Sequence, residues 1–235
     1  MLGVNGIDAL QTIRDGFDFT ELLNLLRSVI PSLICITLHE LSHGLCAFAL
    51  GDDTAKRQGR LTLNPLRHLD PMGLLMIVIF HFGWAKPVPV NPNNFRHPKR
   101  DMALTSLAGP AANVVITLLF LLLYGALYIP LSSGAAGRYI LQMLQLTAYI
   151  SLALAIFNLI PLPPLDGSKI LFSALSDEGY WKLMRYERYG SILLLILVAT
   201  GLLGRPLSQA VQSAFDALIP ISQWACDRVY SFFYK

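Results

Sequence analysis

Between Ser28 and Gly51 the chain carries one formal charge, Glu40, and it stands within His39-Glu40-Leu41-Ser42-His43. Histidines four apart share a helix face, about 40° apart around the axis and about 6 Å along it. That spacing lets two imidazole nitrogens reach one divalent ion, usually zinc, with the glutamate beside it to take a proton from water. An acid at the centre of a membrane helix costs about 2.5–3.5 kcal/mol. Such a group implies a use, and the use these residues suit is a zinc hydrolase site built into a membrane.

A histidine pair needs a third protein ligand. Asn158-Leu-Ile-Pro161-Leu-Pro163-Pro164-Leu165-Asp166-Gly167 offers one. Its three prolines break a helix near a membrane boundary, which is tolerated where the freed backbone lines a cavity or lies against protein. Asp166 on that broken turn is the acidic ligand the pair lacks. Asn158 is either a site residue or a polar cap on the broken helix. Cys35 shares the histidine face at i, i+4 and i+8, so it is an alternative third ligand, although a small buried packing residue is the better reading. With Cys46 and Cys226 it makes three cysteines, which argues against a disulfide framework. Ser106-Leu-Ala-Gly109-Pro110-Ala-Ala-Asn113 is rich in the small residues that let helices approach closely in lipid. Asn113 there is a packing residue or a substrate contact. His68, His81 and His97 read as loop or packing residues.

These residues must be positioned by membrane helices. The chain has 235 residues, of which 54% are hydrophobic and 14% charged, with a mean hydropathy of +0.53. Soluble domains carry roughly 25% charge. Uncharged runs extend over Met102–Gly137, Tyr139–Leu165 and Tyr189–Gly204, the first long enough to cross a bilayer with residues to spare. A first span is expected over about Leu22–Leu50, stopped by Gly51. Met72–Ala85 is short for a span and runs into Lys86-Pro87-Val88-Pro89-Val90-Asn91-Pro92, where the prolines forbid a helix. It reads as a re-entrant or interfacial β element, and Gly59–Leu63 as a short alternating strand. Pro206–Lys235 reads as an amphipathic interfacial helix with Val211, Ala214, Phe215 and Leu218 at helical spacing. The expected fold is therefore an all-α polytopic membrane protein. It has about four to six spans, and a re-entrant β element near the active site. The chain is one domain over 1–235, with a catalytic core over about 28–172 and a C-terminal span and tail over 189–235.

Charge sets the orientation. Eight of the eighteen Lys and Arg residues lie between Gly51 and Asp101 and four between Pro161 and Arg188. The Pro130–Arg138 connection has one and the chain before Ser28 has two. Cytoplasmic loops collect Lys and Arg, so the first two regions face the cytoplasm. The first span then enters, Met102–Ile129 leaves and Ile140–Ile160 returns, bringing Asp166 to the side of the histidines. The basic loops suit lipid headgroups and topology rather than nucleic acid. No basic segment leads into an apolar run and cleavage site at the N-terminus, so no removable signal peptide is expected.

With the histidine pair and the Pro-rich aspartate turn together, the chain resembles the site-2 protease family of intramembrane zinc metalloproteases. The resemblance also rests on Ala108-Gly109-Pro110-Ala111-Ala112-Asn113 and Lys86–Asn91, and covers roughly Leu33 to Phe172. It implies Zn2+ held by His39, His43 and Asp166, with Glu40 as catalytic base. The implied partner is a membrane-protein substrate with a transmembrane segment, cut in or near that segment at the cytoplasmic side of the cell membrane. Gly83–Asn94 is expected to pair with the unwound substrate as an added strand. No insertion between Gly51 and Asp101 has room for a PDZ domain, and the tail is too short for a CBS pair. The rival reading is a non-catalytic metal-binding membrane protein, a transporter or degenerate regulator; Glu40 argues against it, because a binding site needs no base between its ligands.

Overall fold

Long uncharged runs become long helices. The computed structural model describes residues 19–73, 83–185 and 187–233. Helix α1 spans Phe19–Ala49. It stops where expected: Gly51 takes a left-handed φ of +106° and Asp52 N donates to Ala47 O at 2.9 Å, closing the last turn. A short α2, Thr54–Arg57, follows. Helix α3, Pro98–Leu131, begins with Pro98 in its first turn, and the Asp101 carboxylate reaches back to accept from His97 N at 3.0 Å. Helix α4, Ala135–Asn158, returns antiparallel after a tight connection. After the proline turn come α5 (Asp166–Phe172), α6 (Asp177–Arg185), α7 (Glu187–Ala199) and α8 (Gly204–Phe233).

The central helix is α3, which touches α1, α4, α5 and α8. Leu121, Ala148, Leu152 and Phe215 form a buried cluster where α3, α4 and α8 meet. Polar ties inside the bundle run from Thr117 Oγ1 to Ala148 O (3.2 Å) and from Ser151 Oγ to Asn113 O (2.8 Å). In the low-dielectric interior such bonds satisfy these two hydroxyls and tie the helices together.

Three helical stretches, Leu26–Ala49, Pro98–Leu131 and Ala135–Asn158, are long and apolar enough to cross a membrane. The α7–α8 pair, bent by 85°, qualifies as a fourth only if it counts as one broken span. The count of three or four thus meets only the lower end of the four to six expected. The physical reason is length: α7 alone has 13 residues and rises about 20 Å, short of a hydrocarbon core of about 30 Å. The amphipathic tail is helical as expected, but its apolar face is seated on α3 and α4 through Ala214, Phe215 and Leu218. Gly125 makes that approach close, since a methyl group there would come within 2.0 Å of Ser222 O.

The expected β element is not seen among the described residues, and its middle, residues 74–82, lies outside them together with His81. What is present is one isolated bridge, Leu69 to Ala85, extended by Lys86 N donating to His68 O at 2.9 Å. Beyond it the chain stays extended without a strand partner, because its donors go elsewhere. Pro87 and Pro89 have none, Val88 N donates to Glu40 Oε2 (2.8 Å) and Asn91 N to Asp52 Oδ2 (2.7 Å). The Gly59–Leu63 alternation likewise forms no strand. Thr62 N turns back onto Arg60 O, and Asn64 caps a 3-10 turn over Pro65–Arg67.

Together, residues 52–69 and 83–94 make a small cap on the basic end of the bundle. Asp52 is its hub, wholly buried and accepting from Thr54 N (3.1 Å), Asn91 N (2.7 Å) and Asn94 Nδ2 (2.7 Å). Burial disfavours its charge, but the hydrogen bonds from Thr54, Asn91 and Asn94 more than offset this and hold the carboxyl below the usual carboxylate range. Arg60 clamps the 83–94 segment, the strap, by donating to Lys86 O at 2.8 Å. His68 is buried in the cap with Nε2 3.0 Å from Thr62 O, and His97 precedes α3, so neither reaches the histidine pair.

Candidate metal centre

His39 and His43 lie ten and six residues before the end of α1, so about 15 and 9 Å inside the bundle from that end. Helical periodicity alone aims both rings the same way. The proline turn supplies the opposing group. After Asn158 the chain folds back sharply enough for α5 to begin against the end of α4. Gly167 makes this close return possible: a methyl there would come within 2.2 Å of Leu159 O and 2.7 Å of Ile160 O. Asp166, the first residue of α5, is thereby set opposite the imidazoles.

The three ligand atoms converge. His39 Nε2 and His43 Nε2 are 3.0 Å apart, and Asp166 Oδ2 is 3.3 Å from the first and 3.1 Å from the second. Ligands at zinc's usual 2.0–2.1 Å on a tetrahedron are separated by about 3.3 Å, so the triangle fits one face of a zinc site. All three residues are at least nine-tenths buried. Asp166 Oδ2 is inaccessible to water and faces the two imidazole nitrogens, as befits an oxygen that shares a cation with them. Among the described residues these are the His, Cys, Asp and Glu side chains grouped closely enough to hold a metal ion. Cys35 is not one of them: its Sγ faces Thr147 O on α4 at 3.6 Å.

Helix α3 completes the cradle. His43 Nδ1 lies 2.7 Å from Thr105 O. A carbonyl only accepts, so Nδ1 carries the proton and Nε2 keeps its lone pair for a metal. Gly109 sits directly under both rings; a methyl there would lie 2.4 Å from His43 Nε2 and 2.6 Å from His39 Cε1. The run of small residues in α3 is visible in the sequence. That one of them makes room for imidazoles is visible only in the packing. Asn113, one turn further along α3 and wholly buried, brings its amide within 3.1 Å of His39 Nδ1.

A cavity of about 390 Å³ opens from these ligands towards the cap. Glu40, half-buried, faces it with one carboxylate oxygen held by Val88 N. Val90, Met102, Asn158 and Lys169 also line it. Asn158 Nδ2 is turned to Leu154 O at 2.9 Å. Asn113 does not line the cavity and meets the centre only through His39. Lys169, one turn beyond Asp166, is a cationic wall residue that reasoning from the motif alone missed.

A zinc-type ligand set with a carboxylate beside it, inside a bundle of membrane-length helices, has the make-up of a membrane zinc hydrolase. Comparison with known proteins bears this out. Residues 123–204 match peptidase family M50, a stretch that holds the proline turn and Asp166 but not the histidine pair. Over 195 residues the chain is 38% identical to "Putative zinc metalloprotease YwhC" of Bacillus subtilis, covering 82% of this chain and 89% of that protein. It is 33% identical over 189 residues to "Putative zinc metalloprotease Rip2" of Mycolicibacterium smegmatis, covering 78% of this chain and 71% of that one. No solved structure matches the chain. The chain belongs to peptidase family M50, the site-2 protease family.

Proposed function

We propose that this protein is an intramembrane zinc endopeptidase of the site-2 type. It hydrolyses a peptide bond in or near the transmembrane segment of another membrane protein. The observation that carries this reading is the convergence of His39, His43 and Asp166 at 3.0–3.3 Å within helices apolar enough to cross a membrane. These three residues would hold the metal. When bound, zinc would supply Lewis acidity that polarises the scissile carbonyl and makes water more acidic. Glu40 accepts a proton from the attacking water and delivers it to the leaving amine. The Val88 N–H fixes one Glu40 oxygen at 2.8 Å, leaving the other to work in the cavity.

A helical substrate hides its peptide bonds, so it unwinds before cleavage. The Gly83–Asn94 strap is the surface that receives it. From Lys86 to Asn91 the N–H groups of Lys86, Val88 and Asn91 are committed, and two residues are prolines. A substrate strand therefore pairs mainly by donating its own N–H groups to strap carbonyls. Asn158 contacts the substrate from the opposite wall. The basic cap faces the cytoplasm of the cell membrane, in keeping with the excess of Lys and Arg on that end.

The test is cleavage of a panel of single-span substrates by detergent-purified protein, comparing wild type with Glu40→Gln and measuring bound zinc in both. Cleavage by wild type, lost by at least 100-fold in the variant with zinc retained, supports the reading. Zinc bound by both with no substrate cut, across the panel and in native membranes, would favour the metal-binding alternative.

A further inference from the structure

We propose that Asn113 is a positioning residue for the metal centre: its amide oxygen holds the Nδ1–H of His39 and so turns the Nε2 lone pair of that ring towards the metal. The inference rests on the zinc centre and not on the identity of the substrate.

The two imidazoles face the same requirement. To bind a metal through Nε2, a neutral histidine must carry its proton on Nδ1, and something must accept that proton. For His43 the acceptor is Thr105 O at 2.7 Å, which has no other option. For His39 the atom placed at Nδ1 is Asn113 Nδ2, at 3.1 Å, so the metal-binding tautomer needs the amide turned over. An amide has one end that donates and one that accepts, and a half-turn about its terminal bond exchanges them. With the nitrogen towards the ring, Nδ1 accepts and the His39 proton sits on Nε2, facing Asp166. With the oxygen towards the ring, Nδ1 donates and Nε2 is free for a metal. The metal-bound site selects the second arrangement.

The amide is well placed for this. Asn113 is wholly buried, so no water competes for Nδ1. Its backbone is pinned from behind, where Asn113 O accepts from Thr117 Oγ1 (2.9 Å) and Ser151 Oγ (2.8 Å). As placed, its Oδ1 is buried with no hydrogen-bond partner, and the half-turn that brings it to the His39 Nδ1–H gives it one. Gly109 and Asn113 are four apart on the face of α3 that meets the histidine face of α1. One makes room for the rings and the other orients one of them.

The experiment compares zinc affinity, by chelator competition, of detergent-purified wild type, Asn113→Leu and Asn113→Asp. Leucine keeps the branched shape and heavy-atom count and removes the acceptor. Aspartate presents an oxygen to Nδ1 whichever way it turns. Losing a partner of this kind typically weakens metal binding by about 10–100-fold. The expected result is that loss in Asn113→Leu, with helix content retained, and wild-type or tighter affinity in Asn113→Asp. A purely structural role for Asn113 would make both variants weak, and aspartate the worse for its buried charge. Wild-type affinity in Asn113→Leu, or a loss of more than 10-fold in Asn113→Asp, would overturn the proposal. If Asn113→Leu does not fold, the aspartate variant alone decides the matter. Failure of wild type itself to bind zinc would instead overturn the metal centre on which the proposal stands.

Discussion

Replacing Gly109 with alanine adds one methyl group at the place where α3 passes under the two imidazoles. That methyl would lie 2.4 Å from His43 Nε2, 2.5 Å from His43 Cε1 and 2.6 Å from His39 Cε1. Carbon contacts settle at about 3.5–4.0 Å, so the overlap is about 1 Å against both rings at once. The rings have little room to yield. His43 is tied to Thr105 on α3 itself, and His39 to Asn113 on the same helix. A metal site tolerates ligand displacements of only about 0.2 Å, a fifth of the overlap. The helices must part or the rings must swing away, and either breaks the 3.0–3.3 Å triangle. Zinc affinity is expected to fall by at least about 100-fold, while overpacking costs the fold about 1–3 kcal/mol. The assay is zinc stoichiometry and chelator competition on detergent-purified protein, with circular dichroism to follow helix content. Gly125→Ala is the control: it forces the same kind of overlap against Ser222 O, away from the ligands, and should lower the melting temperature without releasing zinc. Unchanged zinc affinity in Gly109→Ala would refute the claim that the α1–α3 distance at this residue sets the site.

Two further outcomes follow from the cap. Val88→Pro removes the N–H that Glu40 accepts while suiting the extended backbone between Pro87 and Pro89; cleavage should fall at least 10-fold with zinc content unchanged, and equal loss of zinc would show that the strap holds the fold rather than the base. Asp52→Asn turns an amide N–H towards donors on Asn91 or Asn94, which should cost about 2–3 kcal/mol at neutral pH. The native carboxyl titrates below its unfolded value, so its stabilisation is complete above the ordinary carboxylate pKa of about 4 and is lost as pH falls through the lowered native value. The melting-temperature gap between wild type and Asp52→Asn should therefore narrow below about pH 4, and a gap independent of pH would contradict the charge-based account.

Much of the centre was legible because it is local. The histidine face of α1 follows from helical period, the stop at Gly51 from the left-handed conformation glycine accepts, and the break after Asn158 from three prolines. The strap forms no strand among the described residues for a non-local reason. Its alternation is real, but the acceptors that capture its donors are Glu40 and Asp52, 48 and 39 residues away in the chain. The tail shows the same division. Its apolar face was readable as Val211, Ala214, Phe215 and Leu218, yet periodicity says only that a face is apolar, not whether lipid or the α3–α4 surface covers it.

The sequence by itself determined the donor groups: two imidazoles and a carboxylate within about one turn of an apolar helix, an aspartate after a broken one, and a charge pattern that places both at the same end. Those properties depend on backbone period and hydropathy, which each segment carries alone. Tertiary structure decided the positions of Gly109, Asn113, Asn158 and the strap around the centre. Those depend on how far apart α1 and α3 lie and on how each is rotated about its axis. Side-chain packing between segments sets these quantities, and no single segment encodes them.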